Sequence, residues 1–151
     1  MVDAVGGVTL TPVQTVAAAN AYEGEETTLD GDEARAYVSN RDTSYLTSSL
    51  DRQERQKQFV QAYVHQVLAS ASGNPTSIIN LFNTMGNYST TNLGISEVTY
   101  LATVVLGSGS LDLDIVSLQG EMVQGYEYAE YYLSDDSVMQ TVLDTYYVCV
   151  D

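Results

Sequence analysis

Arg35, Arg41, Arg52, Arg55 and Lys57 are all the arginines and lysines in this sequence, and they share one short window. Twenty aspartates and glutamates are spread along the 151 residues, for a formal net charge of −15. On a surface that is otherwise anionic, such a cluster is the one region whose potential favours a negatively charged ligand. Guanidinium groups suit phosphates in particular, because a planar fork can donate two parallel hydrogen bonds to two oxygens.

The elements that must position these cations can be read from the apolar spacing. Phe59, Val60, Tyr63, Val64, Val67 and Leu68 recur in steps of one, three and four, which predicts an amphipathic helix. Continued backwards, that face reaches Gln56 and Arg52, with Arg55 beside them. Ser48 and Asp51 form a capping pair, so the helix is expected to begin near Ser49. Arginines in a first turn are opposed by the helix dipole and its unpaired amides. An anion bound at the same end reverses that penalty. The plainer alternative is that Arg52 and Arg55 pair with nearby acids such as Asp51, Glu54 and Asp42, as exposed arginines commonly do.

The length suits one domain, residues 1–151, with a core of its own. The acidity excludes nucleic acid as a partner, since phosphate backbones require a broad basic surface. It also disfavours attachment to anionic lipid. No stretch is long and apolar enough to cross a membrane, and no signal peptide precedes the first residues. Cys149 is a lone cysteine and no Cys/His cluster offers a zinc site. His65 reads as a surface or packing residue. Asp112 and Asp114 alternate along an expected strand and read as solvated carboxylates. No phosphate-cradling GxxxxGK or GxGxxG run occurs.

In chain order, Gly6-Gly7 turns into a strand over Val8 to Leu10. Residues 17–28 are expected to be a solvated loop, and Asp32 to cap a short helix over Glu33–Ala36. Tyr37-Val38 is expected to start an extended segment. Helices are expected from Thr76 with Ile78, Ile79, Leu81, Phe82 and Met85 inward, and from Ser96 with Val98, Leu101, Ala102, Val105 and Leu106 inward. A strand is expected over 111–116, a second over Tyr126 to Leu133, and a final helix from Ser137 to Val148 behind a Ser134-Asp135-Asp136 cap. Helices alternating with a few strands give an α/β or α+β layered domain.

Several runs together resemble the LytR-CpsA-Psr family of bacterial cell-envelope proteins. Val2-Asp3-Ala4-Val5-Gly6-Gly7-Val8 is similar to its V-D-x-hydrophobic-G-G-V segment. Leu29 to Val38 is similar to its L-N-G-x-x-A-L-x-Y-V run, which the family follows with two arginines separated by one residue. Here Ser39 stands at the first of those positions and Arg41 at the second. Arg52-Gln53-Glu54-Arg55-Gln56 with Phe59 matches its R-x-x-R-Q helix start. Asn92-Leu93 with Ile95-Ser96, and Ile115 to Gly120, resemble its later landmarks.

The resemblance implies an α/β/α sandwich, a central mixed sheet with flanking helices and an apolar tunnel for a lipid tail. It implies a phosphotransferase that moves glycopolymers, such as teichoic acid or capsular polysaccharide, from a polyprenyl pyrophosphate carrier to peptidoglycan. The work is done on the outer face of the cytoplasmic membrane, with magnesium bridging the pyrophosphate to aspartates. Arg41, Arg52, Arg55 and Gln56 carry over as pyrophosphate contacts, and Arg41 and Arg52 as the catalytic pair. The family's magnesium aspartates and a further arginine lie upstream of the V-D-x-hydrophobic-G-G-V segment, and Ser49 stands where many members have aspartate. The chain therefore resembles the C-terminal half of such a domain, with sheet edges that favour self-association. A non-catalytic module that binds a polyprenyl phosphate or cell-wall polymer is the alternative.

Overall fold

The computed structural model describes residues 1–73, 76–107 and 115–147. Two compact units are distinguished: Met1–Asn40 with Asp51–Leu113, and Arg41–Leu50 with Asp114–Asp151.

The first unit is built on a small antiparallel ladder. β1 (Val8–Leu10) pairs with β2 (Thr27–Leu29) in the register Val8 to Leu29 and Leu10 to Thr27. Alternation along β1 turns Val8 and Leu10 inward and Thr9 outward. Residues 17–28 are more than the solvated loop expected. Val16 and Ala21 bridge across a tight turn in which Asn20 adopts a left-handed φ of 49°, and Ala19 and Ala21 are thereby buried. Short alanines fit where the turn approaches the ladder, a fit that the polar composition of the stretch hides.

α1 (Gly31–Ser39) begins with a full capping box: the Asp30 carboxylate accepts from the Asp32 and Glu33 amides, and Glu33 accepts from the Asp30 amide. Asp3 accepts from the Gly31 amide at 2.8 Å, which seals the same end. The cap is thus Asp30 rather than Asp32. Tyr37 and Val38 belong to this helix and are not extended, because the box starts a turn that buries Tyr37 completely. Val8, Leu10, Val16, Ala19, Ala21, Leu29, Ala34 and Tyr37 form the core, and Phe59, Ala62 and Tyr63 of α2 (Ser48–Gly73) pack against it.

α3 (Thr76–Gly86) and α4 (Ile95–Gly107) pack on each other in this unit. Leu81 is buried and Phe82, Val98 and Ala102 are half-buried, as their spacing predicts, whereas Ile79, Met85 and Leu101 are exposed. In the second unit, β3 (Gly120–Gln124) pairs antiparallel with β4 (Ala129–Leu133), and Ser134 caps α5 (Asp135–Tyr146) by accepting from the Ser137 amide. The strand expected over Tyr126 to Leu133 starts at Ala129, because 125–128 make the connecting turn. The strand expected at 111–116 and Asp112, Asp114 and Cys149 lie outside the described residues, except that Ile115 and Val116 are not in a strand. The fold is α/β, and among the described residues its strands form these two antiparallel ladders instead of one mixed sheet.

One position tests the ladder sharply. Gly7 has φ +93°, and an added Cβ would lie 2.8 Å from the Thr28 methyl and 3.1 Å from the Leu29 carbonyl oxygen. Gly7→Ala is expected to cost roughly 2–3 kcal/mol, since strain at positive φ adds to the clash. Denaturant unfolding measures it directly, and a loss below a few tenths of a kcal/mol would contradict this geometry.

Candidate functional site

α2 positions three of the four residues expected at the phosphates, and the side chains have different fates. Arg55 is buried, 5% exposed, and its fork turns inward. Its Nε donates to the Tyr37 carbonyl at 3.1 Å, one Nη to Gln14 Oε1 at 2.5 Å, and the other to the Asn40 carbonyl. Two of these acceptors are carbonyls at the C-terminal end of α1, where the helix dipole favours a cation. Gln56 is exposed, and its side-chain amide donates to the Val38 carbonyl at 3.1 Å.

Arg52, one turn earlier, is the contrasting case. It is half-buried, and its Nε is shielded from water without any acceptor among the described residues. Among the described residues neither Arg52 nor Arg55 pairs with a carboxylate, as the plain ion-pair reading would have it, whereas Lys57 meets Glu54 at 2.7 Å. A buried, unpaired donor on a charged group costs about 1–3 kcal/mol or more, and an anionic acceptor removes that cost. Arg41 belongs to the other unit. It is exposed, and its Nε donates to the buried Ser48 hydroxyl at 3.1 Å within the same segment. Arg35 is exposed on α1.

Gln58 and Gln14 went unread in the sequence. Gln58 accepts from the Tyr37 hydroxyl at 2.6 Å and donates to the Thr11 carbonyl at 2.5 Å, while Gln66 reaches the Val5 carbonyl at 3.1 Å. Gln58, Ala62 and Gln66 recur at the helical period, so polar side chains share the packed face of α2 with Phe59 and Tyr63. Burial raises the Tyr37 hydroxyl above the ordinary tyrosine value, against smaller lowering effects from the Val13 backbone and the Arg55 charge. Burial also raises the Tyr63 hydroxyl, which has no partner among the described residues. His65 is exposed, as expected.

Magnesium, implied by the resemblance, meets no ligand set here: among the described residues no three His, Cys, Asp or Glu side chains gather to hold a metal ion. Among the described residues, no helix is long and apolar enough to cross a membrane.

The fold recurs in solved structures. It is similar to B. subtilis TagV, with a TM-score of 0.70 and 24% identity over 95% of this chain and 57% of that one. It is similar to gbs0355 from Streptococcus agalactiae, with a TM-score of 0.71 and 20% identity over 95% of this chain and 52% of the other. Lin1025 from Listeria innocua gives 0.59 and 24%, with 95% and 61% covered. The fold is that of these proteins, and the chain spans between 52% and 61% of their lengths. The LytR_cpsA_psr family model matches residues 1–145. The chain belongs to the LytR-CpsA-Psr family. No curated protein matches it.

Proposed function

We propose that this chain provides the pyrophosphate-gripping part of a phosphotransferase that moves a cell-wall glycopolymer from a polyprenyl pyrophosphate carrier to peptidoglycan at the outer face of the cytoplasmic membrane. Family membership supports the general role. The water-shielded Nε of Arg52, without a partner among the described residues, is the observation that carries the assignment to this face of α2. Arg41, Arg52, Arg55 and Gln56 make up the proposed set. Arg52 contacts phosphate oxygens and stabilises the charge that develops as the bond to the carrier breaks, the role the resemblance also gives Arg41. Gln56 adds a donor at the exposed rim, and Arg55 adds charge from behind, since much of its fork is already engaged.

A second reading, a non-catalytic module that holds a polyprenyl phosphate or wall polymer, is favoured by the absence of an acidic cluster among the described residues. Isothermal titration with a short-chain prenyl pyrophosphate, with and without magnesium, separates the two. Binding in the micromolar range that needs magnesium supports the phosphotransferase reading. Equal binding without it supports the module, and no binding in either condition contradicts both.

A further inference from the structure

The two arginines of the R-x-x-R-Q run are one helical turn apart, yet they are in opposite states. Arg52 has a shielded donor with no acceptor among the described residues, whereas Arg55 is almost wholly buried and satisfied by three acceptors of the fold. A buried guanidinium without a carboxylate partner is held only if carbonyl dipoles replace its hydration. The end of α1 provides them through Tyr37 and Asn40, and Gln14 completes the set.

Asn40 closes α1: its amide donates to the Ala36 carbonyl at 3.0 Å while its carbonyl accepts from Arg55. We infer that Arg55 is a positioning residue, which clamps the end of α1 to α2 through Tyr37, Asn40 and Gln14 and so fixes that end beside Gln56, whose side-chain amide donates to the Val38 carbonyl. This rests on the proposed pyrophosphate site, and it assigns direct contact with phosphate to Arg52 and not to Arg55. The clamp depends on the geometry of a planar fork. Lysine keeps the charge but presents a compact ammonium that cannot span the same acceptors.

The test combines two measurements on the full chain with Arg55→Lys, Gln14→Ala and Arg52→Gln variants. The first is hydrogen exchange of the free protein over residues 37–40. Arg55→Lys and Gln14→Ala are expected to speed exchange of the Asn40 amide by about tenfold, the factor that corresponds to losing roughly one hydrogen bond. Arg52→Gln is expected to leave it unchanged. The second is titration with a short-chain prenyl pyrophosphate, where Arg55→Lys should weaken binding by about tenfold despite its retained charge. Gln14→Ala, which removes no charge, should reproduce part of that loss.

Unchanged exchange in Arg55→Lys overturns the inference whatever the protein binds. Wild-type affinity in Arg55→Lys also overturns it, because charge alone would then suffice. Failure of the unaltered protein to bind the diphosphate, with the exchange pattern as expected, overturns the functional reading and leaves the clamp standing as a purely structural one.

Discussion

Arg52→Ala is expected to weaken binding of a short-chain prenyl pyrophosphate by about a hundredfold, since two charge-assisted hydrogen bonds at roughly 1.5 kcal/mol each are lost. The physical reason lies in the free protein. Arg52 Nε is withdrawn from water and has no acceptor among the described residues, so the unliganded state bears a cost that an oxyanion relieves. Truncation removes both the bond and the cost, so the fold should keep or slightly gain stability while affinity collapses. Arg52→Lys should fall between, because an ammonium retains the charge without the fork. Thermal unfolding of the same variants checks the separation. A large fall in stability for Arg52→Ala would mean that the side chain serves packing.

The other large effect concerns stability. Tyr37 is fully buried, donates to Gln58, and lends its carbonyl to Arg55. Tyr37→Ala is expected to cost about 3–5 kcal/mol from the lost ring alone, a large share of the roughly 5–15 kcal/mol that holds a domain of this size together. The variant should be largely unfolded or markedly less resistant to urea. Tyr37→Phe keeps the ring but strands Gln58 Oε1 with only a long contact from the Val13 amide at 3.4 Å, and should cost about 1–2 kcal/mol. Equal stability of the alanine variant and the wild type would contradict the core described here.

Much of the architecture was legible because it is local. Ser134 before two aspartates, Ser48 ahead of the basic run, and the three-and-four spacing after Phe59 each locate a helix from neighbours in the chain. What escaped depends on contacts far apart in sequence. Arg55 takes acceptors 18, 41 and 15 residues away, so nothing near it announces that it is buried. Its neighbours Glu54 and Lys57 are a plain i,i+3 surface pair, which makes the whole turn look solvated. Tyr37-Val38 reads as extended from residue type alone, and the capping box that opens seven residues before Tyr37 overrides it. β3 is similar: Gly120 to Gln124 pairs only because residues 129–133 return beside it. At the candidate site, the residue types were visible and their division of labour was not. That division depends on which side of α2 the end of α1 packs against.

On the proposed reading, this face of the protein grips a diphosphate and not merely an apolar tail. The most direct test is to titrate the unaltered chain in parallel with a short-chain prenyl pyrophosphate and with the matching prenyl alcohol. The account predicts micromolar binding of the pyrophosphate, weakened at least about tenfold between 50 mM and 500 mM salt as charge screening grows, and no measurable binding of the alcohol. Equal affinity for the two ligands, or none for the pyrophosphate, would contradict it.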